Sequence, residues 1–297
     1  MVEAMSEKQI YDQLCQLIWH HDRLYFIKHA PEISDEEYDR LFKRLEHLER
    51  EHPEWVNPSS PTQRVGESLT AGFQTAVHRI PMLSLANTYS KEEIEHFIRR
   101  IQKLVGNKSY AFAVELKMDG IAISATFEKG LFIRGVTRGD GRRGDDITAN
   151  MRTIANLPLQ LYGKEVPDFL ELRGEVFIPR PIFQQLNEQK LQDGDQQWAN
   201  PRNAAAGSLK LLHPREVEER GLSIVFYGVA EESTGALTKQ SQVAPFLHSL
   251  GLPTLEYTAC CQSIDDIWQF SEQIRSVRSS LSYDIDGIVI KVDDLKE

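Results

Sequence analysis

The sequence predicts an α+β protein in two unequal parts. A small N-terminal helical hairpin domain spans residues 1–72, and a larger domain with largely antiparallel sheets spans 73–297. Three observations lead there: helical periodicity over residues 6–52, a breaker-rich stretch after Asn57, and beyond it more strand-like runs than βαβ spacing would supply. The length of 297 residues suits one large or two ordinary domains, because single cores stop growing at roughly 250–300 residues.

In SEKQIYDQLCQLIWHHDRLYF, residues Ile10, Leu14, Leu17, Ile18 and Leu24 approximate one apolar stripe. Ser34 followed by Glu37 has the form of a capping box that opens DEEYDRLFKRLEHLEREHP. This second helix is expected to stop before Pro53, since proline disfavours helical geometry in its predecessor. KHAPEIS is the expected turn between the two helices, and NPSSP with GESLTAGF places the domain boundary near residue 72. SKEEIEHFIRRIQKLV predicts a third helix, capped by Ser90 with Glu93 three residues on. Strands are expected at 110–117, 121–128, 131–137, 170–178, 222–229 and 285–292, with further helices near 203–212, 240–250 and 264–278.

Composition narrows the function. A hydrophobic fraction of 41% and a charged fraction of 26% are those of a soluble globular protein, and no apolar run approaches the ~18–20 residues of a membrane span. The start, MVEAMSEKQI, carries no export or transit signal, so a cytoplasmic location is expected. Cys15, Cys260 and Cys261 leave one thiol over in any disulfide scheme and form no Cys-x-x-Cys pair, so no metal site is expected from them. The formal net charge of −10 argues against broad nonspecific affinity for nucleic acid, while leaving room for a local basic patch.

Alternate side chains on a strand share a face, and three predicted strands carry charges midway along one of theirs. In AVELK, Glu115 and Lys117 point opposite to Val114 and Leu116; in LELRGEVFI, Glu171, Arg173 and Glu175 oppose Leu170, Leu172 and Val176. In DIDGIVIKV, Lys291 and Val289 alternate with Ile288, Ile290 and Val292. The ordinary reading of such faces is that they are solvated. The loops beside them argue for more: Asp119-Gly120 follows the lysine, and TRGDGRRGDD sets Arg138, Arg142 and Arg143 among glycines. Lysines, arginines and glutamates with a glycine-rich rim suit a phosphate-bearing ligand, although neither a P-loop nor a Rossmann fingerprint occurs. A lysine there serves either as a phosphate counter-ion or as a nucleophile. Periodicity does not decide, and an ordinary amine with a pKa of ~10.4 is charged at neutral pH.

ELKMDGIAIS, TRGDGRRGDDITANMRTI, LRGEVFIP, ANPRNAAAGSLK and YDIDGIVIKV resemble the adenylation, or nucleotidyltransferase, segment of bacterial NAD-dependent DNA ligases. The lysine of the K-x-D-G signature falls at Lys117. APEISDEEYDRL, SPTQRVG and PMLSLANTYS resemble the same family upstream, so the likeness runs from about residue 20 to the end. K-x-D-G alone is weak; the ordered set is specific.

The resemblance implies that Lys117 attacks the α-phosphorus of NAD, forming lysyl-AMP with release of nicotinamide mononucleotide, the first step of nick sealing in DNA replication and repair. It implies magnesium as a cofactor, NAD as the AMP donor, nicked duplex DNA as the partner of the full-length protein, and a monomer. By position in the motifs, Glu115 and Lys291 would meet the adenine or adenylate, Arg138 and Glu175 the ribose, and Ser84-Leu85 the nucleotide. Arg202, Lys210, Arg142 and Arg143 would face phosphates or DNA. Tyr25, Asp35, Tyr38 and Asp39 would take the flat, cationic nicotinamide side, which aromatic faces and carboxylates suit. Without the resemblance, Tyr38 reads as core and Asp35 as a favourable charge at a helix start.

Three positions depart from the family pattern: Phe26 where a histidine is usual, Ala86 where aspartate is common, and Lys210 in place of an arginine fork. The later lysine motif, oligonucleotide-binding barrel, zinc module and following domains of full-length relatives do not occur. A C-terminally truncated piece that labels itself yet seals nicks poorly is therefore expected. The alternative is an NAD-binding module without turnover.

Overall fold

Helix α1 (Glu7–Phe26) and helix α2 (Asp35–Glu51) pack against each other at the start of the chain. The computed structural model describes residues 6–26, 31–57, 59–64, 72–105, 110–163 and 165–296. Much of the expected turn, the boundary segment 65–71 and the side chains of Phe26 and Asp35 lie outside the described residues. The capping box forms as expected: Glu37 N–H donates to Ser34 Oγ at 3.3 Å, and Ser34 N–H donates to Glu37 Oε2 at 3.0 Å. Helix α2 ends at Glu51 with His52 as its cap, one residue before Pro53.

The apolar stripe of α1 differs from the expected one. Tyr11, Leu14, Cys15, Ile18 and Trp19 are the residues buried against Leu45 and Leu48 of α2, whereas Leu17 is 41% exposed. Spacings of 11, 15, 18 and 19 follow the helical repeat, and Leu17 sits off that face. Within this small core, Glu49 accepts hydrogen bonds from Tyr11 (3.2 Å), Ser60 Oγ (2.6 Å) and Thr62 Oγ1. One buried carboxylate thus ties α1, α2 and the turn after them together. Burial pushes the Cys15 thiol up to about 11, which keeps it an inert packing group.

The remainder contains β1 (Thr75–Val77), α3 (Lys91–Val105), β2 (Phe112–Met118), β3 (Ile121–Glu128), β4 (Leu131–Thr137), β5 (Arg143–Asp145) and α4 (Thr148–Arg152). They are followed by β6 (Phe169–Phe177), α5 (Arg180–Gln192), α6 (Pro201–Leu209), α7 (Pro214–Glu218), β7 (Ser223–Glu232), α8 (Val243–Ser249), β8 (Thr258–Cys261), α9 (Ile264–Val277) and β9 (Ile285–Val292). The strands form sheets in the orders β8-β2-β9, β4-β3-β6-β7 and β1-β5, and every strand ladder among the described residues is antiparallel. The protein is α+β, as its sequence predicts.

Two apolar layers hold these sheets. Phe112, Val114, Leu116 and Met118, alternate residues of β2, pack with Ile94 of α3 and with Ile267, Phe270 and Ile274 of α9. Ile123, Ala125 and Phe127 of β3 and Leu170, Leu172 and Val176 of β6 pack against Met151, Ala204, Ala205 and Leu247 on the helical side of the other sheet. Each sheet thereby keeps its second face for the charged residues. Sequence reading missed β1, β5 and β8, which at three or four residues are too short for alternation to register. It also missed α5, a helix opened by Arg180-Pro181 whose short apolar stripe, Ile182, Phe183 and Leu186, packs on the core only partly buried.

Candidate active site

The charged faces predicted on β2, β6 and β9 meet across one cleft of about 890 Å³. Glu115, Lys117, Val289 and Lys291 line it from the three-stranded sheet; Ala122, Arg173, Glu175, Tyr227 and Val229 line it from the four-stranded sheet. The carboxylates are not the solvated groups of an ordinary wet face. Glu115 is 7% exposed, Glu171 3% and Glu175 8%, so each carboxylate has lost most of its water and needs a partner.

Buried charges need partners, and each has one. Lys291 Nζ lies 2.6 Å from Glu115 Oε1 and donates to the Tyr227 carbonyl at 3.1 Å, bridging both sheets. Burial nevertheless raises the Glu115 carboxyl, an effect that Lys291 offsets only in part. Tyr227 donates its hydroxyl to Glu175 Oε2 at 3.2 Å. Burial lifts Glu175 to about 7, against the opposing pull of that hydroxyl and of Arg202 and Lys117. Burial and the neighbouring Glu175 raise Tyr227 as well, so its hydroxyl remains a donor.

At the cleft mouth, Lys117 Nζ donates to Asp286 Oδ2 at 2.5 Å, and Arg202 Nη1 reaches Asp119 at 2.9 Å and Asp286 at 3.9 Å. Two cations and two anions therefore alternate in a neutral row, with the lysine amine at one end and 37% of its side chain exposed. Gly120 lets this row approach β6: a Cβ there would sit 2.4 Å from the Val176 carbonyl oxygen and 2.8 Å from Glu175 Cγ. We expect Gly120→Ala to cost about 3 kcal/mol of stability, measured by denaturant unfolding, because backbone on a central strand cannot yield cheaply. A loss below about 1 kcal/mol would contradict this close approach.

Of the residues singled out from sequence, Ser84, Leu85, Glu115, Lys117, Arg138, Glu175, Arg202, Lys210 and Lys291 all line this cleft. Lys210 pairs with Asp145 at 2.7 Å. Arg142 and Arg143 are exposed on a turn whose N–H groups bond to Asp140 Oδ1, and they are not among the lining residues. Neither are Tyr25, Tyr38 and Asp39. Tyr25 is 51% exposed, Asp39 is exposed, Tyr38 donates to Asp22 Oδ1 at 2.7 Å, and Asp35 begins α2. The hairpin instead meets the other domain through α1, where the Arg23 guanidinium lies 5.7 Å from the centre of the Tyr162 ring.

Sequence reading assigned no role to Asp286, Arg173 or Tyr227. Asp286 could have been found, because its Asp-Gly pair in DIDG repeats the Asp-Gly of KMDG. Tyr227 carries no such signal, since an aromatic residue in a strand reads as core.

Comparison with known proteins gives this cleft a family. Residues 70–297 match the NAD-dependent DNA ligase adenylation domain, and residues 4–66 match the DNA ligase-like N-terminal NAD+-binding domain. The chain belongs to the NAD-dependent DNA ligases. It is 64% identical over 293 residues to the DNA ligase of Protochlamydia amoebophila, covering 99% of this chain and 44% of that protein. It is 44% identical over 287 residues to the DNA ligase of Methylacidiphilum infernorum, covering 97% of this chain and 42% of that one. For the DNA ligase of Acinetobacter baylyi the identity is 45% over 288 residues, with coverages of 96% and 43%. The chain thus spans less than half the length of these DNA ligases. Among its described residues, no helix is long and apolar enough to cross a membrane.

Proposed function

We propose that this chain carries out the first step of an NAD-dependent DNA ligase, with Lys117 as the nucleophile. The unprotonated Nζ attacks the α-phosphorus of NAD; an N–P bond forms, the bond from that phosphorus to the bridging oxygen breaks, nicotinamide mononucleotide leaves with the electron pair, and the surplus N–H proton passes to solvent. The observation that carries the reading is the convergence of Lys117, Glu115, Glu175, Arg138, Ser84 and Lys291 on one cleft inside a family-matched domain. In this reading Glu115 and Lys291 hold the adenine side, Arg138 and Glu175 the ribose, and Ser84-Leu85 the nucleotide. Arg202 and Lys210 counter the phosphates, while Arg142 and Arg143 serve DNA outside the cleft. Residues 73–297 form the catalytic part and residues 1–72 the nicotinamide-recognising part.

Tyr25, Asp35, Tyr38 and Asp39 act on the nicotinamide side once the hairpin leaves its seat on Tyr162 and closes over the cleft. As for magnesium, among the described residues no three His, Cys, Asp or Glu side chains converge as a metal site, and Asp119 and Asp286 are engaged by Arg202 and Lys117. No residue here is therefore assigned to it. In the full-length protein the AMP passes to a 5′-phosphate at a DNA nick.

The test is the intact mass after incubation with NAD and magnesium salt, followed by peptide mapping. We expect one added AMP on Lys117, and none from ATP. An adduct on another residue rejects the nucleophile. Calorimetric NAD binding without any adduct favours the alternative of a binding module, for which the engaged Lys117–Asp286 pair is the supporting observation.

A further inference from the structure

The wall of the cleft that carries Ser84 and Leu85 has no ladder to hold it. From Ile80 to Tyr89 the backbone belongs to no helix or strand, yet Ile80, Met82, Ser84 and Leu85 all line the site. Its main chain is anchored at the start, where His78 N–H donates to Arg142 O at 3.0 Å and Met82 N–H donates to Gly141 O at 2.8 Å. His78 adds its ring: Nε2 lies 3.1 Å from the Thr137 carbonyl and 3.2 Å from that of Arg138. Carbonyls only accept, so this nitrogen carries the proton. Beyond Met82, the next hydrogen bond along the wall among the described residues is Tyr89 N–H to Glu93.

Between His78 and Met82, two side chains of the four-stranded sheet reach this wall: Glu231 of β7 pairs with Arg79 at 3.0 Å, and Arg173 of β6 meets the main chain itself. Arg173 Nη2 donates to the Ile80 carbonyl at 2.6 Å, while its Nη1 donates to Glu171 Oε1 at 2.6 Å. Glu171 is buried and also accepts from Ser124 Oγ at 3.3 Å. A guanidinium is rigid and planar, so fixing one nitrogen on a buried carboxylate dictates where the other one points. A lysine in its place could not serve both acceptors in this geometry.

We propose that Arg173, braced by Glu171, is a positioning residue for nucleotide binding. It sets the height of Ile80–Leu85 over the cleft, and through that wall the affinity for the nucleotide, without touching the reacting atoms. The inference rests on the reading of this cleft as the NAD adenylation site. It accounts for a buried Glu–Arg pair beneath a ligand wall, where a hydrophobic pair of similar volume would serve stability as well.

The test compares wild type with Arg173→Gln and with the paired variant Glu171→Leu, Arg173→Met, which removes both charges and leaves neither buried alone. Two measurements are made: the NAD dependence of Lys117 labelling, and hydrogen exchange of the Met82 amide without ligand. We expect the NAD concentration for half-maximal labelling to rise at least about tenfold, with the maximal rate within about threefold of wild type. Met82 exchange should quicken at least about tenfold while amides in the centre of β6 keep their protection. A purely structural role would lower the fraction of active protein and leave half-saturation in place. Unchanged half-saturation or unchanged Met82 exchange in the paired variant overturns the proposal. Should wild type take no AMP at all, the adenylation reading fails, and the exchange measurement with calorimetric NAD binding decides the tether on its own.

Discussion

Lys117→Arg binds NAD and takes no AMP. Lys117 lines the cleft with Nζ 2.5 Å from Asp286, a place from which it could act as counter-ion or as nucleophile. Arginine separates the two roles. It keeps the positive charge and can pair with Asp286, but its guanidinium is always protonated and delocalised and does not attack phosphorus. If the lysine only neutralised phosphate, the variant would label nearly as well as wild type. If it is the nucleophile, labelling falls by at least about 10⁴-fold while calorimetric NAD affinity changes by less than about tenfold. A Lys117→Arg protein that still gained one AMP would move the reaction to another residue.

Glu175→Gln is more stable than wild type at pH 8 and equal to it near pH 4. Burial raises the Glu175 carboxyl from 4.5 to about 7. Between those two values the folded protein keeps a proton that the unfolded chain releases, so the native state binds more protons and its stability falls as pH rises. The contribution is fully present below pH 4.5 and gone above about pH 7. Its size is up to about 3 kcal/mol. Glutamine retains an acceptor for Tyr227 but has no proton to lose, so the variant lacks this slope. Urea unfolding of both proteins at pH 4, 6 and 8 checks it; parallel pH profiles would show that residue 175 is not the group responsible.

Much of the fold was legible in the chain because its signals are local. The Ser34–Glu37 box, the stop before Pro53, the helix after Ser90 and six long strands follow from capping, ring sterics and alternation, all of which act within a few residues. The motifs around Lys117, Glu175 and Lys291 were legible for the same reason. Leu17 and α5 were misjudged or missed where burial on a particular face, rather than composition, decides the outcome.

The sequence by itself determined the two-part α+β character, the charged strand faces and the family, since periodicity and motif order are properties of consecutive residues. Only the tertiary structure decided that those faces border one cleft and that Glu115, Glu171 and Glu175 are buried charges and not surface ones. It alone paired Lys117 with Asp286, 169 positions away, and Arg173 with the Ile80 carbonyl, 93 positions away. It alone set Tyr25, Tyr38 and Asp39 apart from the cleft. The physical reason is that ion pairing and desolvation depend on distances across packed sheets, and no spacing along a strand encodes what will stand opposite it.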